Sequence, residues 1–99
     1  MLPTHALVLS QARAHIAALA DQASCEETSA GYERVLLELD RLHQDRSPDY
    51  EPLGIRLDPD VLATIATRAI EDLVGFGVDP LDIELLLADL GDAREHESA

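Results

Sequence analysis

Residues 58–91 read DPDVLATIATRAIEDLVGFGVDPLDIELLLADLG, and this stretch decides the fold class. It contains the same pair of residues twice, as Asp58-Pro59 and as Asp79-Pro80. An aspartate side chain caps the unpaired amide groups of a helix N-terminus, and proline is well tolerated at the first helical position. Each pair therefore predicts the first residues of a helix.

Glycines predict where these two helices end. Gly75 and Gly77 follow the first apolar pattern, and Gly91 follows the second. Because glycine readily adopts the left-handed conformation found after a helix C-terminus, we expect the first of these helices to end near residues 74–76. We expect the second to end at Gly91 and residues 92–99 to form a frayed polar tail.

The N-terminal half predicts two further helices joined by a short link. The first is expected from about Thr4, as the N-cap, to about Ala23, with apolar residues at a 3-4-3-4 spacing. Ser24 followed by Glu27 matches a capping box, which predicts a second helix from there to about Asp45. A short link between two helices favours an antiparallel hairpin.

Gly31 leaves an alternative start for the second helix. Glycine inside a helix costs about 1 kcal/mol relative to alanine. The helix could therefore begin at Gly31 instead, with a longer connection before it.

Residues 46–58 interrupt the helical pattern with two prolines and a glycine. Leu53, Ile55 and Leu57 alternate with other residues at the period of a half-buried strand. A lone strand cannot form a sheet, so we expect an extended loop that lies across the helices. Strand pairing between two copies of the chain is the alternative.

Together these signals predict a single all-α domain over residues 1–99. It should contain about four helices: an antiparallel N-terminal hairpin and a more hydrophobic C-terminal pair, joined by an extended, proline-containing connection. A chain of this length buries roughly 60–65% of its unfolded surface. With three aromatic residues in the sequence, a deep aromatic-lined pocket is not expected.

The composition is strongly acidic. Twenty acidic residues face seven arginines and no lysine, which gives a formal net charge of −13. Such a charge repels phosphate backbones and anionic membranes and attracts basic proteins. The sequence therefore predicts no direct nucleic-acid or membrane binding and favours a basic protein partner. The alternative is that the charge maintains solubility or reflects the source.

The C-terminal half combines most of this charge with surplus apolar residues. After Leu57 the chain carries eleven acids and two arginines, and its two helices are apolar on more than one side. A peripheral helix needs only one apolar stripe. We therefore expect partner docking or self-association, as a dimer, through this region. The candidate partner-binding residues are Ile70, Val74, Leu81, Asp82, Leu85, Leu86, Asp89 and Leu90.

Catalytic and metal-binding patterns are weak. Cys25 cannot form an internal disulfide as the single cysteine, and its position on the predicted core stripe, beside two glutamates that would raise its pKa, indicates a buried, inert thiol. The four histidines show no pairing by spacing, although Asp40 and His43 share a helix face. No catalytic residue, cofactor or metal is therefore predicted.

The function expected from the sequence is a non-enzymatic interaction module, an adaptor or an inhibitor, in the cytoplasm. Four alternatives remain open. They are an immunity-protein or antitoxin-like inhibitor, a nucleic-acid mimic, a dimeric ligand-binding or metal-binding protein or enzyme with an inter-chain site at His43 and Asp40, and a structural subunit of a larger assembly.

Overall fold

The fold was determined from a computed structural model, which describes residues 2–44, 46 and 49–98. The described residues form four α-helices and a 3-10 turn, and they contain no β-strand. The predicted all-α fold is confirmed. The helices are α1 (Pro3–Gln22), α2 (Glu26–Leu42), α3 (Pro59–Asp72) and α4 (Pro80–Ser98), and the 3-10 turn (Leu73–Phe76) follows α3.

Both predicted aspartate caps are confirmed. The backbone N–H of Asp60 donates to Asp58 Oδ1 at 2.8 Å, and the backbone N–H of Leu81 donates to Asp79 Oδ1 at 2.8 Å. In each case proline occupies the first helical position. The local sequence alone therefore sets the start of α3 and of α4.

The two N-terminal helices begin differently from the prediction. Helix α1 has Leu2 at its N-cap, so Thr4 lies inside the helix; Pro3 at the first position needs no amide partner. Helix α2 has Cys25 at its N-cap and no side-chain capping bond, so the predicted Ser24 capping box does not form. The short link is confirmed, since only residues 23–25 separate the helices.

The helices form a bundle in which α1 and α2 are the central pair. Helix α1 packs against α2 and α3, and α4 packs mainly against α2. The order around the bundle is therefore α3, α1, α2, α4. The core is mostly aliphatic, as the composition predicts, and its largest side chains are Tyr32, Leu9, Ile16, Leu19, Leu39, Leu62, Ile70, Leu73, Leu86 and Leu90.

Gly31 lies within α2, so the alternative helix start is wrong. A Cβ atom built on Gly31 would lie 3.2 Å from the Cβ of Ala93. Because that separation is tighter than ordinary van der Waals contact, glycine allows α2 and α4 to approach closely at this point.

The predicted C-terminal end of the third helix agrees with the structure, and that of the fourth helix does not. The 3-10 turn ends at Gly77, which has a left-handed φ of 96°, and this agrees with the predicted end of the third helix. Helix α4 instead continues through Gly91 to Ser98, so the predicted end at Gly91 is wrong and the described residues 92–98 of the predicted tail are helical. Contacts with α2 explain the extension: Ala93 is buried, and the Tyr32 hydroxyl donates to Glu97 Oε2 at 2.9 Å.

The connection between α2 and α3 is extended, as expected. Helix α2 ends at Leu42; the predicted end at Asp45 lies outside the described residues. Leu53 and Leu57 are half-buried against the core, whereas Ile55 is exposed. A groove of about 430 Å³ separates residues 52–56 from the alanine-rich face of α1, so the connection lies alongside that helix.

Candidate functional site

The outer face of α4 carries exposed leucines. Leu81 and Leu85 are one helical turn apart and are 63% and 59% exposed, and Ala88 continues the same face. Burying such side chains against a partner would remove apolar surface from water, which is favourable by about 25 cal/mol per Å². This face therefore offers two apolar anchors.

Carboxylates border these anchors on both sides. Asp82 and Asp89 are half-buried, and Glu84 and Asp92 are exposed. Helix α4 carries six carboxylates and one arginine, Arg94, which is paired with Asp60 of α3 at 2.6 Å. The outer face therefore combines apolar surface with a local excess of negative charge.

A shallow groove of about 190 Å³ runs between α4 and α2 beside these anchors. Leu85 and Leu86 line it from α4, and Arg41 lines it from α2. The Arg41 guanidinium lies 2.7 Å from a carboxylate oxygen of Glu38, and this hydrogen-bonded ion pair, helped by the charge of Asp82, raises the pKa of Arg41. Arg41 therefore contributes a positive charge, paired with Glu38, at the edge of an otherwise acidic groove.

Three of the eight candidate residues are buried in the core, and the other five are exposed or half-buried. Ile70, Leu86 and Leu90 are 0%, 2% and 2% exposed and belong to the core, so their side chains are not available to a partner. The inward stripe of α4 consists of Ile83, Leu86, Leu90 and Ala93. Leu81, Asp82, Leu85 and Asp89 share the outer and α2-facing sides of α4, whereas Val74 lies on the 3-10 turn and is 40% exposed.

No known protein family, curated protein or solved structure matches this chain. The geometry of the chain is therefore the basis for any functional assignment. None of the helices in the described part of the chain has both the length and the apolar character needed to cross a membrane.

Two histidines pair in a way that the sequence analysis missed. His5 Nε2 lies 3.0 Å from His43 Nε2, and the rings meet edge to face. Asp40, the expected companion of His43, instead pairs with Arg13 at 3.1 Å. Among the residues described, no three metal-ligating side chains converge.

Cys25 is exposed, so the expected burial is wrong. Its sulfur lies 3.3 Å from Thr28 Oγ1 at the start of α2. The hydrogen bond from the Thr28 side chain lowers the pKa of the Cys25 thiol, and this effect outweighs the opposing charge of Glu27. The stripe on which Cys25 was placed begins one turn later, at the buried Thr28.

Polar contacts between α2 and the last turns of α4 are structural. Thr28 Oγ1 also lies 2.8 Å from His96 Nδ1, and His96 Nε2 lies 3.2 Å from Glu27. Burial raises the pKa of the Tyr32 hydroxyl, and its bond to Glu97 raises it further, so the hydroxyl stays protonated and donates. These contacts hold the C-terminal half of α4 on α2.

Proposed function

We propose that this protein is a non-enzymatic interaction module that binds a basic protein partner through the outer face of α4. The observation that carries the proposal is the pair of exposed leucines, Leu81 and Leu85, bordered by Asp82 and Asp89. Exposed apolar side chains become well-packed anchors in interfaces, and surrounding carboxylates steer a partner of opposite charge. Adaptor and inhibitor are the two forms of this role that we propose, and we place it in the cytoplasm.

A second copy of the chain is the competing occupant of this face. Each copy carries a net charge of −13, so two copies repel each other at long range. That repulsion favours a basic partner over a homodimer. Sedimentation analysis at low and high salt tests this choice, because a homodimer driven by apolar contact would strengthen as salt screens the repulsion.

A nucleic-acid mimic would bind its partner mainly through charge, whereas the proposed module binds mainly through apolar contact. A mimic depends on its carboxylates, and its binding should disappear at high salt and after Asp82, Asp89 and Asp92 are replaced together by asparagine. The exposure of Leu81 and Leu85 supports an interface in which apolar burial holds the complex.

An inter-chain site at His43 and Asp40 receives less support. His43 is buried and faces His5, and Asp40 is paired with Arg13. Both side chains are therefore engaged within their own chain. Metal analysis of protein without a histidine tag tests this alternative directly, since stoichiometric metal would restore it.

The test of the proposal is quantitative affinity capture with matched variants. Leu85→Asp adds a carboxylate to the proposed face, so a purely electrostatic partner would bind it as well as before or better. An apolar interface would lose about 30-fold in affinity or more, the scale of a hot-spot residue. Leu7→Asp is the control, because Leu7 is 70% exposed and α1 does not pack against α4.

The expected result is that the wild type and Leu7→Asp capture the same basic protein, whereas Leu85→Asp does not. Equal capture by all three proteins would rule out the proposed face. Capture that survives Leu85→Asp but disappears in the triple asparagine variant would favour mimicry instead.

A further inference from the structure

A histidine pair joins three elements at one end of the bundle. His5 lies in the first turns of α1, and His43 follows the last residue of α2. Their Nε2 atoms are 3.0 Å apart and their ring centroids 5.1 Å apart, so the two Nε2 edges face each other. A face of the His5 ring stacks on Phe76 of the 3-10 turn, with centroids 4.9 Å apart and an interplanar angle of 6°.

The hydrogen bonds fix where the protons lie. His43 Nδ1 is 2.7 Å from the carbonyl oxygen of Leu39, and a carbonyl only accepts, so this nitrogen carries a proton. In neutral His43 the Nε2 atom is therefore the acceptor. It follows that His5 Nε2 carries a proton and donates to His43 Nε2.

The pair can take up one proton without losing this bond. If the proton is added at His5 Nδ1, His5 Nε2 still donates to His43 Nε2, so the bond is retained. A second proton has to be added at His43 Nε2, since His43 Nδ1 is already protonated. Both facing nitrogens then carry hydrogen, no acceptor remains between them, and two positive charges oppose each other.

We propose that His5 and His43 form a pH-sensitive latch. With one proton or none added, the pair holds the first turns of α1 against the end of α2 and the 3-10 turn. When both rings are protonated, the first turns of α1 are released.

The surroundings oppose a second positive charge on the pair. Burial, the positive charge of His43 and the positive amino terminus all lower the pKa of His5. From α2, the nearest described carboxylate along the chain is that of Asp40, which is engaged by Arg13 at 3.1 Å. From the 3-10 turn, the facing group is the uncharged ring of Phe76. Asp45, two residues beyond His43, lies outside the described residues and is therefore included in the test.

The test follows the full-length chain by NMR between about pH 7.5 and pH 5, the range in which histidine titrates. The Ala6 amide donates to the Leu2 carbonyl at 2.9 Å in the first turn of α1, so its hydrogen exchange reports release. We expect its protection, corrected for the intrinsic effect of pH, to fall at least tenfold as the second proton binds. The His5 and His43 ring signals should shift together in two coupled steps.

Two substitutions separate the latch from general acid sensitivity. In His5→Gln the side-chain amide can still pair with His43. Its NH2 group donates to neutral His43, and its carbonyl oxygen accepts from protonated His43. Glutamine itself takes up no proton. Protection of the Ala6 amide in this variant should not change with pH. His15→Gln is the control, because His15 is a buried histidine on the same helix whose Nδ1 bonds to a carbonyl, that of Gln11 at 2.7 Å, away from the pair. It should respond to pH as the wild type does.

Three results would overturn the latch. The first is an Ala6 protection that stays constant in the wild type, and the second is a His5→Gln variant that still loses protection at low pH. The third is an Asp45→Asn variant that no longer responds to pH, because Asp45 would then be the titrating partner of the pair.

Discussion

Leu85 and Leu86 are adjacent in sequence, and the structure gives them opposite surroundings. Leu85 is 59% exposed on the outer face of α4, whereas Leu86 is 2% exposed in the core. Replacing each with alanine in turn therefore separates the proposed interface from the interior. The two variants remove the same atoms from the same helix, so helix propensity affects both equally.

The expected magnitudes differ several-fold. Leu86→Ala leaves a cavity in the core and should lower the free energy of unfolding by about 2–5 kcal/mol. Leu85→Ala removes a side chain that is largely in water already and should change it by less than about 1 kcal/mol. A domain of this size is stable by about 5–15 kcal/mol, so Leu86→Ala removes a substantial part of the total.

Urea denaturation followed by far-UV circular dichroism measures both effects. We expect the urea midpoint of Leu86→Ala to fall well below that of the wild type. The midpoint of Leu85→Ala should stay close to the wild-type value. If the two variants unfold at the same midpoint, or if Leu85→Ala is the less stable one, then Leu86 does not face the core and Leu85 does not face outward. The proposed interface would then be wrong as well.

Further predictions concern a cap, a thiol, a buried hydroxyl and acid sensitivity. Asp79→Ala should lower the free energy of unfolding by about 0.5–2 kcal/mol and Asp79→Asn by much less, as measured in urea; equal losses would show that the cap bond is not responsible. Cys25 should react with a thiol reagent in the native state as fast as in denatured protein, and reaction only after unfolding would contradict its exposure. Tyr32→Phe leaves Glu97 without its donor and should reduce stability by about 0.5–1.5 kcal/mol in a urea titration; an unchanged midpoint would show that the bond contributes nothing. Folding lowers the pKa of His5, so the unfolded chain binds more protons than the folded one. Thermal stability should therefore fall as pH drops below about 6.5. If the melting temperature of His5→Gln falls with pH as steeply as that of the wild type, His5 is not the cause.

Local signals predicted the parts of the fold that local interactions determine. The Asp58 and Asp79 caps involve groups only two residues apart, so the sequence contains everything they need. The end of the third helix near Gly77 is similar, since it depends on one left-handed residue. These predictions were confirmed because no distant contact competes with them.

Predictions failed where distant contacts decide the outcome. Gly91 would end an isolated helix, but contacts of Ala93 and Glu97 with α2 carry α4 further. The His5–His43 pair joins residues 38 apart in the chain, and no spacing rule reveals it. These features require the positions of two helices at once.

The candidate surface was only partly predictable. Residues 85–87 are three consecutive leucines, and any one of them could face the core. The sequence therefore indicated an excess of apolar residues but not which of them face outward. The position of α2 determines that Leu86 points inward and Leu85 outward. The region was therefore found from the sequence, and the accessible residues within it only from the structure.

Site-specific photo-crosslinking in the native cell tests the central claim, that the outer face of α4 is the partner-binding surface. A photoreactive residue replaces Leu85 in one variant and Leu7 in the other, because Leu7 is exposed on α1 and is even more accessible than Leu85. We expect a discrete adduct with a basic protein from position 85 and none with that protein from position 7. An adduct with a partner from position 7 and none from position 85 would contradict the claim.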